Sequence, residues 1–371
     1  MKNDVVLRYK RIIIVLIIVI VCLCSCFGII LYKHISNDED VHNMFNNLIN
    51  RRNNNINKKL FDSNISYDEQ IHNSFKPLHI DDGNGVIQGT HPKVLYFKDG
   101  FNGYKYYMVY TPYPYGNDKY ENPSIVVSND MINWSVPEGL KNPIANVPSN
   151  YKRGKVYNSD PHLVYNSDLN ILECYYRFVD DTKNIVIIYR LKSKDGVNWN
   201  KKEEILKGNR FKKDYLSPSI IYDNGVYKMW YVFKNKVYYI ESNDGINYSN
   251  PRVINIKYYA QEKLKTWHID VIKSDLGYEM IMVAYNDWKS RKVMSLYYTV
   301  SSDNKNYMNA VSIIRPSNVS WDNRGLYRSS FIKDENGVYY VFYSGISKKA
   351  VRGIGLSYGS NINNLIGSKT K

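Results

Sequence analysis

The chain has 371 residues, 44% of them apolar and 14% aromatic, with 36 Tyr and a formal charge of +15. Tyr and Ile favour strands and Asn favours turns, so this composition suits a large all-β domain. The cysteines exclude a disulfide framework: Cys22, Cys24 and Cys26 share an apolar N-terminal run, and Cys174 stands alone as a small buried apolar residue.

Residues 12–32 are an unbroken uncharged stretch of 21 residues, about the ~20 a helix needs to cross a bilayer. Lys2, Arg8, Lys10 and Arg11 precede it, and Asp38, Glu39 and Asp40 follow. This asymmetry predicts a cytoplasmic segment 1–11, a transmembrane helix 12–32 and an extracellular remainder on the cell membrane. A rival reading is a lipoprotein cleavage box at Leu23-Cys24-Ser25-Cys26, although the apolar run continues past Cys26. Both put the domain on the outer face. Residues 33–78 are polar and Asn-rich and read as a stalk.

From there to the C-terminus, 79–371, one phrase recurs five times. It opens with a short strand: His91-Pro92-Lys93-Val94-Leu95, Asp160-Pro161-His162-Leu163-Val164, Ser217-Pro218-Ser219-Ile220-Ile221, His268-Ile269-Asp270-Val271-Ile272 and Arg328-Ser329-Ser330-Phe331-Ile332. A tight turn such as Asp223-Asn224-Gly225 follows, then an aromatic strand such as Tyr339-Tyr340-Val341-Phe342-Tyr343. Four copies end in a Ser-x-Asp turn with an aromatic six residues after the Ser: Ser128/Asp130/Trp134, Ser193/Asp195/Trp199, Ser242/Asp244/Tyr248 and Ser301/Asp303/Tyr307. Starts 69, 57, 51 and 60 residues apart match four-stranded blades of about 40–50 residues plus loops. The sequence therefore predicts a five-bladed β-propeller. The Ser-x-Asp turns recur too regularly to be catalytic and read as structural.

The innermost strand of each blade lines a propeller's channel. In register, His91, Asp160, Ser217, His268 and Arg328 take the first position, and Lys93, His162, Ser219, Asp270 and Ser330 the third. Period-two alternation puts both sets on one side, as one polar ring at the mouth. Trp267, Tyr327 and Trp321 lie close by as flat faces for a sugar. The serines of the ring read as strand-end partners, whereas Asp160, His162, His268 and Asp270 read as functional. Glu121, before Asn122-Pro123, is a weaker carboxylate candidate.

The X-Pro strand starts and the Ser-x-Asp turns resemble the five-bladed propeller glycosidases of glycoside hydrolase family 43, with families 32, 117 and 130 as relatives. That family uses an Asp before the Pro of the first blade as base and one before the Pro of the second to tune the acid. Its acid is a Glu two residues before the Pro of the third. Asp160 matches the second position; His91 and Leu216 occupy the other two. The resemblance implies a glycosidase whose standard carboxylates are displaced. Family 117 uses a His acid, which implies Asp160 or Asp270 as base and His268 or His91 as acid. His162, Arg328, Trp267, Ser217, Tyr327 and Lys93 are then the expected substrate-binding residues.

The basic charge is compatible with nucleic acid, an anionic membrane surface or an acidic polysaccharide, or with a merely solvated surface. No nucleic-acid motif is present, so an anionic cell-envelope or extracellular carbohydrate is the expected partner. No metal-ligand spacing appears and no cofactor is required, although the resemblance allows a structural cation in the channel. Three functions follow: a surface glycosidase, a non-catalytic glycan-binding propeller and a protein-interaction propeller.

Overall fold

The computed structural model describes residues 72–369, apart from 82–84, 86–87, 260–262, 287–293 and 319. The expected membrane helix and nearly all of the expected stalk lie outside the described residues. Among the described residues no helix is long and apolar enough to cross a membrane.

The described residues form five sheets, antiparallel except for one added edge strand in the first, arranged as the blades of a propeller. The innermost strands are Gly89–Phe101, Val156–Asn166, Leu216–Asp223, Lys265–Ser274 and Gly325–Lys333, and each pairs with the strand that follows it. These are the five repeated phrases. Apolar side chains of adjacent blades meet in five clusters, one per interface, and Cys174 is buried in the one between the first and second blades. Burial of these faces is the main favourable term holding the ring together.

The Ser-x-Asp turns are built alike. In the first blade the Ser128 hydroxyl accepts the Met131 N–H, and the Asp130 carboxylate accepts the N–H groups of Ile132 and Asn133. The aromatic then packs on the next blade, as Trp134 does edge-on against Phe342 of the fifth. The role is structural.

Closure of the ring uses a strap ahead of the first repeat. His79–Asp81 adds a parallel strand to the outer edge of the first blade, while Leu78 N donates to Ile354 O of the fifth. Residues 72–78, which the sequence assigned to the stalk, lie along the fifth blade, with Phe75 N donating to Ser368 O. Trp321, expected near the channel mouth, belongs to this seam instead. Its indole donates to Ser74 O and stacks on Tyr343. Gly345 and Gly355 leave room for it, since a Cβ at either would come within 2.3 or 2.7 Å of the ring.

Every innermost strand carries a β-bulge near its start: between Thr90 and Lys93, Ser159 and His162, Leu216 and Ser219, Thr266 and His268, and Tyr327 and Ser330. In the first three blades the residue before the Pro is left-handed, with φ of 54° at His91, 50° at Asp160 and 52° at Ser217. The Pro supplies no N–H, so the ladder is interrupted where the bulge needs it.

Candidate functional site

The bulges overturn the expectation of a single polar ring. In the first, second, third and fifth blades an extra residue between the first and third positions breaks the alternation, whereas in the fourth the bulge precedes His268 and the pairing from His268 to Asp270 is regular.

The third-position residues stitch blades together. Ser330 Oγ accepts the N–H of Val94 in the next blade, and Ser219 Oγ that of Val271. Asp270 Oδ2 accepts that of Phe331. His162 Nδ1 faces the Arg328 guanidinium, so its Nε2 carries the proton and donates to Ile220 O of the next blade. Each of these side chains therefore bonds the fourth position of the neighbouring inner strand. Lys93 has only donors and turns across the channel, placing Nζ 2.9 Å from Asp270 Oδ1. Asp270, expected as an alternative base, is thus held by Lys93, Ser219 and a backbone N–H, and it does not line the cavity described next. Nor do Lys93 and His162, both expected to bind substrate. Ser217 accepts the Ile269 N–H and is likewise a stitch.

The first-position residues His91, Asp160 and His268 line a cavity of about 520 Å³ at the mouth of the channel. One ligand atom from each lies within 4.8 Å of the others, and all three residues are buried. Asp160 Oδ1 is 3.9 Å from His91 Nε2 and 3.5 Å from His268 Nδ1. Neither Asp160 Oδ1 nor either ring nitrogen of His268 makes a hydrogen bond among the described residues. Beneath them Arg328 puts Nη1 3.5 Å from Asp160 Oδ1, while Nη2 donates to Pro218 O and meets His162 Nδ1. Arg328 thus lies behind the carboxylate. Trp267 and Tyr327 are wall residues, with the Tyr327 ring edge-on to His268 at 4.4 Å.

Electrostatics assigns the protons. Burial lowers His91 to about 3 and His268 well below its ordinary value, so both imidazoles are neutral near pH 7. Burial opposes ionisation of Asp160; with the facing His268 and His91 neutral, the permanent charges that favour its carboxylate are the guanidiniums of Arg328, 3.5 Å away, and Arg177. A neutral imidazole is a poor general acid, which argues against His268 or His91 in that role. Two imidazole lone pairs and one carboxylate are instead a donor set suited to a divalent transition metal.

Sequence reasoning gave Glu121 little weight because it lies outside the repeat. The Asp118–Tyr120 turn, capped by Asn117, places it on the cavity wall. Its Oε1 is 3.3 Å from His91 Nδ1, which also lies 3.0 Å from the Thr111 hydroxyl. These contacts direct Nε2 toward Asp160 and orient the ring as the outer partners of a metal-ligating His do. Burial, then the charge of Asp160, raises the Glu121 carboxyl well above its ordinary value. The site therefore pairs an ionised Asp160 with a Glu121 that keeps its proton.

This donor set is drawn from three blades, which explains why no metal-ligand spacing was visible in the sequence: His91, Asp160 and His268 are far apart in sequence and meet only when the ring closes.

The chain matches no family model. Over 327 residues it is 29% identical to the A type blood N-acetyl-alpha-D-galactosamine deacetylase of Flavonifractor plautii, an alignment covering 74% of this chain and 42% of that protein. The chain thus spans less than half the length of this relative. Among solved structures, an N-acetylgalactosamine deacetylase from F. plautii in complex with blood group B trisaccharide superposes with a TM-score of 0.66 at 24% identity, covering 78% of this chain and 94% of that one. An exo-1,5-alpha-L-arabinanase from a bovine ruminal metagenomic library gives 0.54 at 15% identity, covering 73% and 93%. A thermostable family-43 glycoside hydrolase gives 0.53 at 14%, covering 80% and 96%. The scaffold of this chain is the five-bladed propeller of the family-43 glycoside hydrolases and of the deacetylase.

Proposed function

We propose that this chain is a carbohydrate-active hydrolase in which His91, Asp160 and His268 hold a divalent cation, and that it removes an N-acyl group from an amino sugar. The observation carrying this reading is the buried cluster itself, two neutral imidazoles and one carboxylate with unpartnered atoms at the floor of a cavity. Similarity to a protein named as an N-acetylgalactosamine deacetylase supports the bond type.

A divalent cation there supplies Lewis-acid polarisation of a carbonyl and acidifies a water. Thr111 and Glu121 hold His91 in the orientation that aims Nε2 at the cluster. Arg328 and Arg177 keep Asp160 ionised despite its burial. Glu121, protonated and at the cavity wall, is the group able to deliver a proton to a departing amine and take it back. Trp267, Tyr327 and Tyr113 offer aromatic faces that exclude water and pack on a sugar ring.

A second reading, cleavage of a glycosidic bond, rests on Asp160 and Glu121, whose environments push their proton affinities apart as an acid–base pair requires. The basic-flanked apolar run 12–32 supports an anchored domain working outside the cell on envelope or extracellular polysaccharide. The test is product analysis on glycans containing N-acetylhexosamine, with and without chelator. Free acetate without new reducing ends supports deacylation, and new reducing ends support the glycosidase. Binding without either product leaves a glycan-binding propeller.

A further inference from the structure

The loop joining the second and third strands of the first blade has two working faces. Tyr113, Asp118 and Glu121 face the cavity just described. Tyr115, Asn117 and Tyr120, in between, face a separate cavity of about 470 Å³ completed by Gln88 and Arg153. Gly154, next to Arg153, lines the first cavity, so the two sites share a wall made of two loops. That wall is latched: the Asp118 carboxylate accepts the Tyr151 hydroxyl and the Gly154 N–H.

The second cavity displays groups that folding alone does not call for. Tyr115 is 67% exposed and Tyr120 45%, two large rings left open to water at one cavity by one short loop. Tyr115 also has φ 52° and ψ 26°, a left-handed conformation that costs a bulky residue about 1–3 kcal/mol. The neighbouring Gly116 is free to adopt it without that cost. The strain is held from outside the loop: buried Gln88 accepts the Tyr115 N–H and the Arg352 N–H with the same oxygen. Opposite the rings, Arg153 is exposed and has no ion pair among the described residues, with exposed Lys152 and Lys155 beside it. Tyrosine faces opposite an unpaired guanidinium suit a ligand that is a flat-sided ring with a negative group on its edge.

We infer that this second cavity is a sugar subsite for an anionic unit of the polymer whose N-acylated unit enters the first cavity. The inference rests on the carbohydrate reading of the site and adds a substrate class, an acidic heteropolysaccharide. A unit seated here grips the outer face of the loop whose inner face carries Glu121.

The test is calorimetric titration of the full chain with two probes, a hyaluronan hexasaccharide, which alternates a carboxylated sugar with N-acetylglucosamine, and the neutral N-acetylglucosamine hexamer. The expected result is tighter binding of the acidic probe. Arg153→Gln abolishes that preference, and Tyr115→Gly, which removes the ring while relieving the backbone, weakens the acidic probe about 3- to 10-fold. No binding of either probe, or affinities that neither variant changes, overturns the subsite. His268→Ala separates this inference from the catalytic one. It abolishes acetate release and leaves the preference intact, and if the wild type releases no acetate from either probe while the preference stands, only the catalytic reading falls.

Discussion

Lys93 Nζ lies 2.9 Å from Asp270 Oδ1, both side chains almost wholly buried, and the pair joins the first blade to the fourth across the channel. Neither residue lines the cavity that His91, Asp160 and His268 share. Its partners identify Asp270 as a structural carboxylate. Lys93→Met strands that charge in a dry interior, which costs about 3–5 kcal/mol. Urea denaturation should show this loss, while kcat of the folded fraction stays near wild type. A normal midpoint with lost turnover would return Asp270 to the catalytic set.

Metal content is the direct check on the cluster. The wild-type chain is expected to retain about one divalent ion, and Asp160→Asn or His268→Ala to retain none by elemental analysis. Chelation should lower the thermal midpoint of the wild type, since an ion present at 100 times its dissociation constant stabilises the fold by about 2.7 kcal/mol. Chelation should leave the midpoint of His268→Ala unmoved. Equal shifts in both proteins would place the ion elsewhere.

Stability should depend on pH through two groups that act in opposite senses. Burial lowers His91 from 6.5 to about 3, so the unfolded chain takes up a proton that the fold refuses, and stability is lost as pH falls through that window. Glu121 works in the opposite sense. Its raised carboxyl keeps a proton that the unfolded chain releases above 4.5, so its contribution is present below 4.5 and lost as pH rises toward the raised value. Glu121→Gln mimics the protonated form. It should match or exceed wild-type stability at pH 8 in melting experiments, while hydrolysis falls about 100-fold or more. A variant less stable than wild type at pH 8 contradicts the assigned protonation.

The Ser-x-Asp turns predict the reverse pattern. Asp130→Ala removes the acceptor of two backbone N–H groups and of the Asn133 amide. It should cost about 1–3 kcal/mol of stability and leave kcat unchanged, as a denaturation series with parallel assays would reveal.

The repeats made the five blades and their inner strands readable in the sequence, because each blade restates one hydrophobic and turn pattern. The same register singled out His91, Asp160 and His268. What it hid was depth. Period-two reasoning put Lys93, His162 and Asp270 beside them; in the first two blades a bulge, signalled only by the X-Pro pair, parts the two positions, while Asp270 follows His268 in regular register and is turned to Lys93 and Ser219. Glu121 and the strap at 72–81 were obscure for another reason. They belong to no repeat, and their roles arise from contacts made when the ring closes. A signal for Glu121 did exist in the Asn122-Pro123 step beside it, without a partner to give it meaning.

The bulges have an evolutionary consequence. In the first and second blades a bulge holds His91 and Asp160 toward the cavity, while Lys93 and His162, two residues on, make the contacts to other blades. Chemistry at the mouth can therefore change by single substitutions, such as carboxylate to imidazole, without renegotiating the packing of a blade. A propeller of this kind can change its rim residues, such as His91 and Asp160, while the contacts that join the blades behind them stay as they are.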